Sequence, residues 1–77
     1  MAKITINRAD GQVTVDGVTR RIDCSSLPSY VSVVQWSDDA SAGWIEFVND
    51  GHGAFLPNAK IVEFAPYQYL RDAWTAA

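Results

Sequence analysis

Along the first stretch of the chain Ile4 and Ile6 alternate with Lys3, Thr5 and Asn7. This is the two-residue period of a half-buried strand, expected over about 3–8, and it stops at "RADGQ", where Asp10-Gly11 favours a turn. The same logic reads residues 12–23 as a hairpin. Val13, Val15, Val18 and Ile22 surround Asp16-Gly17, a dipeptide that tolerates the positive φ angles of a type I′ turn. With those two residues as the loop, Val15 faces Val18 and Val13 faces Arg20. Arg20 then falls on the otherwise apolar face, so either this end of the hairpin lies near solvent or the arginine stem lies over the core.

"CSSLPSY" breaks the pattern with serines and a proline, giving a loop or one helical turn. "YVSVVQW" and "GWIEFV" follow as a second strand pair, over about 31–37 and 43–49, joined by the small polar loop "SDDASAG". Here both faces carry apolar groups. Val31 and Val33 alternate with Val34 and Trp36, and Trp44 and Val48 with Ile45 and Phe47. Strands of this kind are usually covered on both sides, as in the centre of a sheet or a small barrel. Beyond "NDGHG", Pro57 argues against a long strand through "AFLPNAKIVEF", leaving 60–64 as one further short candidate.

The period changes in "APYQYLRDAW". At 100° per residue Tyr67, Tyr69, Leu70, Ala73, Trp74 and Ala77 share one side of a wheel, while Gln68, Arg71, Asp72 and Thr75 share the other. A helix over 66–76 is expected, with Pro66 in its first turn, where a missing N–H costs nothing. A helix this short is marginal alone in water, so it must dock. The fold class is therefore α+β: a small antiparallel sheet or partly open barrel of four or five strands built from hairpins, closed by a terminal amphipathic helix. Val34, Trp36, Trp44, Ile45, Phe47, Leu70 and Trp74 are the expected core. Tyr67 and Tyr69, at the edges of the apolar arc, are the candidate partner contacts, together with Arg71 and Arg20.

Composition narrows the functional classes. The 77 residues are 48% hydrophobic and include three each of Trp, Tyr and Phe. That suffices for a single-domain core without metal or disulfide staples, although a chain of this size buries only about 60% of its unfolded surface. Self-association is expected from the surplus of apolar and aromatic groups. The formal net charge is −3, with cations scattered apart from Arg20-Arg21, which argues against duplex nucleic acid. Stacking of single-stranded nucleic acid on an aromatic sheet lacks a basic groove in the sequence. Cys24 is the one cysteine, compatible with a reducing cytoplasm and a buried structural role. "MAKITINRAD" has no apolar h-region, and no segment is long enough to span a membrane.

No catalytic constellation stands out. His52 is the one histidine, with Asp38, Asp39 and Asp50 as conceivable neighbours but no metal-ligand spacing. Cys24, Ser25 and Ser26 lack a nucleophile context and read as loop residues. Glu46 and Glu63 lie on strand positions whose separation the sequence does not give. Neither a cofactor nor a metal is expected.

Taken in order, "VDGVTRRIDCSSLPSYVSVVQW", "GWIEF" and "FAPYQYLRDAW" resemble a group of small tailed-bacteriophage proteins. These share a "VDG" hairpin, an "SLP" loop, a "V-x-x-V-Q-W" strand, an "IEF"-like strand and a "PYQ…DAW" helix, a similarity that covers about Val15 to Ala76. The resemblance implies a non-enzymatic accessory protein of the tail or tail-fibre region, with no catalytic residue to carry over. A phage tail protein would be its partner in virion assembly; the alternative is a host-directed factor that binds and inhibits a bacterial protein or sequesters a small ligand. It would be located in the host cytoplasm during infection or in the virion.

Overall fold

The computed structural model describes residues 2–48 and 58–77. Six strands, β1 (Lys3–Asn7), β2 (Gln12–Val15), β3 (Val18–Arg21), β4 (Val31–Ser37), β5 (Ala42–Phe47) and β6 (Ala59–Ile61), precede a 3-10 turn (Ala65–Tyr67) that runs into α1 (Gln68–Ala76). The strands form one antiparallel sheet in the order β3-β2-β1-β4-β5-β6. The fold is thus α+β with an antiparallel sheet, the first of the two forms expected, but with six strands rather than four or five. One of the extra strands comes from the span 12–23, which divides at Asp16-Gly17. The final strand is 59–61, not 60–64, and the helical segment opens as a 3-10 turn before its α-helical part.

Local chemistry sets these boundaries. Asp16 and Gly17 both have positive φ, 51° and 84°, the type I′ geometry that suits a right-twisted hairpin. The register that follows pairs Val15 with Val18 and Val13 with Arg20. Strand β4 returns to lie beside β1, so β1 to β4 form a Greek key. The connection that makes this possible, residues 22–30, buries Ile22, Cys24 and Leu27 and is tied down where Arg8 Nε donates to the Leu27 carbonyl at 3.1 Å.

The core lies on one face only. Ile4, Ile6, Val13, Val15, Val34 and Trp36 point from the sheet towards Leu70 and Phe64. The register of β4 against β5 breaks between Val31 and Val33. This β-bulge corrects the strict alternation expected for β4: one extra residue shifts the parity, so Val31 joins Val34 and Trp36 in the core. Val33, paired with Asn7 and Glu46, falls on the opposite face.

That second face is not covered by another layer of the described residues. It carries Lys3, Thr5 and Asn7, Gln12 and Thr14, Thr19 and Arg21, Gln35 and Ser37, Trp44 and Glu46, and Lys60. Trp44, expected in the core, is 44% exposed here. Its place on β5 opposite Gln35 puts it on the open face. Ile45 and Phe47, on the core side of the same strand, are half-buried.

Gly43 sits opposite Trp36, and a Cβ there would overlap the Gln35 carbonyl and come within 2.9 Å of Trp36 Cα. Gly17 has open space around it but a left-handed φ. Replacing each by alanine separates two costs. Gly43→Ala, which collides with backbone, is expected to lose about 2 to 3 kcal/mol or more. Gly17→Ala carries only conformational strain of about 1 kcal/mol. Urea unfolding of both variants checks the order, and equal losses would show that the β4–β5 backbone gives way freely.

Candidate functional site

Helix α1 crosses the core face with Leu70, 1% exposed, at its centre. Phe64, just before the 3-10 turn, lies against Trp36 with ring centroids 5.6 Å apart and against Tyr67 at 6.0 Å. Trp74, at the far end, is half-buried, and its indole N–H donates to the Val18 carbonyl at 3.0 Å. Ala73 and Ala77, on the apolar side of the wheel, remain exposed, because the short edge strand β3 leaves nothing for them to meet.

Arginines fasten the helix at two places, and this changes their assignment. Arg20 stands over the Trp74 ring, 4.2 Å from guanidinium carbon to centroid. One of its terminal nitrogens donates to the carbonyls of Trp74 at 2.6 Å and Ala77 at 3.3 Å. The Trp74 carbonyl also accepts the Ala77 N–H at 3.3 Å, and a guanidinium at this helix C-terminus complements the helix dipole. Arg71 reaches the other way, to the Asp38 carboxylate at 3.1 Å, while the same carboxylate accepts the Trp36 indole N–H at 2.8 Å. Both arginines, expected to be partner contacts, are therefore engaged within the fold.

The tyrosines gather at one rim. Tyr67 is half-buried, and its phenol is pushed above its ordinary value first by burial and then by the neighbouring phenols of Tyr30 and Tyr69. Tyr69 is 44% exposed, and its hydroxyl shares a 2.7 Å hydrogen bond with Ser26 Oγ. Tyr30, 58% exposed, lies against Phe47 with centroids 6.0 Å apart. Its backbone carbonyl accepts from the Val48 N–H at 2.9 Å. The rim thus joins the residues just before β4, the end of β5 and the start of the helix. The sequence reading missed Tyr30, whose one local signal is an aromatic ring placed between a proline turn and a strand. The resulting surface offers ring faces backed by the core and hydroxyls at the edge, the combination that suits protein contacts.

Cys24 and Ser25, weighed as nucleophiles, take structural places. Cys24 is buried, its thiol donating to the Ile22 carbonyl at 3.3 Å, and burial pushes that thiol up, with Asp23 adding to the shift and Arg8 opposing it. This is the opposite of what a nucleophile needs. Ser25 donates its N–H to Asp23 at 2.9 Å, and its hydrogen bonds lower the Asp23 carboxyl, as in an Asx turn. Among the described residues no group of three or more His, Cys, Asp or Glu is placed to hold a metal ion, and no helix is long and apolar enough to cross a membrane. His52 and Asp50 lie outside the described residues.

Arg20 and Trp74 form a pair whose coupling is measurable. Trp74→Ala is expected to cost about 2 kcal/mol, less than a fully buried tryptophan would. Arg20→Met keeps the apolar stem and removes the guanidinium. In a double-mutant cycle the two are expected to couple by about 1 kcal/mol through the stacked guanidinium. Additive losses in thermal or urea unfolding would show that Arg20 acts on the helix carbonyls alone. No protein-family model matches the chain, and no curated protein or solved structure matches it.

Proposed function

We propose that this chain is a non-enzymatic accessory protein of a tailed bacteriophage, acting as a tail-associated structural or assembly component through protein contacts. The observation that carries this reading is the rim of Tyr30, Tyr67 and Tyr69. Three phenols from two distant segments meet there, two of them well exposed and one backed by Phe64. Tyrosine supplies large contact area with few rotatable bonds, so little entropy is lost when a partner binds. The ordered likeness to small phage proteins, from the "VDG" turn to the "DAW" helix, supports the same reading. The short edge strands β3 and β6 offer further contact by strand addition. Exposed Val18, Val48 and Val62 favour self-association. The protein acts in the infected host cytoplasm and joins the virion from there.

Mass spectrometry of purified virions is expected to find the protein. A pull-down with the paired substitutions Tyr30→Ser and Tyr69→Ser is expected to lose the tail partner at least about tenfold, a loss of about 1.4 kcal/mol. Light scattering is expected to give more than a monomer. Absence from virions together with capture of a host protein would replace the tail reading by that of a host-directed inhibitor. Undiminished capture by the doubly substituted protein would remove the rim from the interface.

A further inference from the structure

The cations of this acidic chain are sorted by face. Arg8, Arg20 and Arg71 are held by Leu27, by the helix end and by Asp38. Lys3, Arg21 and Lys60 are exposed, occupy open-face register positions, and make no ion pair or side-chain hydrogen bond among the described residues. Glu46 is the one described strand carboxylate on this face, and it accepts the Trp44 indole N–H at 3.0 Å. The strand positions of the open face therefore carry three cations and one carboxylate although the whole chain carries −3, while at its ends Asp10 accepts the Asn7 amide at 3.1 Å and Asp16 the Lys3 backbone N–H at 3.0 Å.

Trp44 lies on β5 between Lys60 on β6 and Lys3 on β1, with Arg21 farther off on β3. It lines two adjoining depressions. One, of about 360 Å³, includes Ala42 and Lys60; the other, of about 330 Å³, includes Lys3 and Gln35. The bond to Glu46 pins the indole along β5. Across the sheet the same row runs Thr19, Thr14, Thr5, Gln35, Trp44, Lys60. Thr5 Oγ1 donates to Gln35 Oε1 at 2.7 Å, so the Gln35 amide presents N–H donors to an occupant. With strands about 4.8 Å apart, Lys3 lies about 10 Å from the Trp44 strand on one side, and Lys60 is on the adjacent strand on the other.

We infer that this face binds single-stranded nucleic acid, one base stacking on Trp44 while backbone phosphates meet Lys60 on one side and Lys3, then Arg21, on the other. A chain crossing the sheet places charge, ring and amide in the order a nucleotide backbone, base and base edge require. Stacking on an indole is tolerant of sequence, so the expected ligand is a class and not a motif. This surface is separate from the tyrosine rim, and its test stands apart from that of the tail assignment.

Fluorescence anisotropy of a labelled twelve-nucleotide oligo-dT, titrated with the full chain from low to moderate salt, decides the matter. Three phosphate contacts give a slope of log affinity against log salt of about −2, and Lys60→Gln or Lys3→Gln is expected to lower its magnitude by about 0.7 each. Trp44→Leu is expected to weaken binding about five- to hundredfold and leave the slope unchanged, its fold checked by circular dichroism. The lysine variants, which remove exposed side chains, keep the test decisive if the Trp44 variant does not fold. No anisotropy change at millimolar protein, undiminished binding by Trp44→Leu, or a slope unaltered by both lysine variants would overturn the inference. So would tighter binding of a uronic-acid oligosaccharide of equal charge.

Discussion

A one-layer sheet with a single apolar face cannot stand uncovered, and a nine-residue helix cannot stand alone; each exists here because of the other. Leu70 is where they meet. Around it the helix is too short to cover six strands, so the chain closes the remaining area with other pieces: Phe64 against Trp36 on the β4 side, and Ile22, Cys24 and Leu27 from the Greek-key connection. The two arginines complete the arrangement, one at the helix C-terminus and one on its polar face, each joining α1 to a different part of the sheet. In a small domain with a total stability of about 5 kcal/mol, no one of these contacts is dispensable.

Covering one face also fixes what the other can be. The core takes the branched aliphatic residues, and the remaining face keeps threonines, amides, lysines and one indole. Cations needed to hold the helix are withdrawn from solvent-facing work, and those left over stand on three separate strands of the uncovered side. The overall acidity conceals this local arrangement, because charge counted along a chain says nothing about which side of a sheet each group occupies.

Much of the fold was legible because the relevant signals are local. Asp16-Gly17 requires positive φ at both residues, so the turn fixed the pairing of Val13 with Arg20 before any tertiary contact was known. The helix was legible from Leu70 and Trp74 recurring four residues apart. Parity was not. The bulge beside Val31 inserts one residue without any glycine to mark it, and it moves a valine from one face to the other. Trp44 was misplaced for a related reason: a strand with apolar groups on both sides reads as doubly buried, yet here one side merely bears an exposed ring. The bonds of Arg20, Arg71 and Tyr69 within the fold were not legible because their partners, the helix carbonyls, Asp38 and Ser26, are distant in sequence. Tyr30 escaped notice because its importance comes from proximity to Tyr67 and Tyr69, which only the return of the helix creates.

Five pairings build the sheet, and four of them join strands that follow one another in the chain. Only β1 with β4 does not. The molecule is thus two three-stranded meanders, 3–21 and 31–61, sewn along one seam, where Ile4 and Ile6 meet Trp36 and Val34 and Thr5 bonds Gln35. Each meander can form from neighbours, whereas the seam requires closing the segment from Arg8 to Tyr30, whose entropy is spent before any seam contact repays it. Until then both halves present unpaired backbone, β1 and the Val33–Ser37 part of β4, which pair residue for residue. A second copy offers the same edges. Exchange of halves between two chains would reproduce every pairing of the single molecule, so the route that completes this sheet is also the route by which two copies entangle.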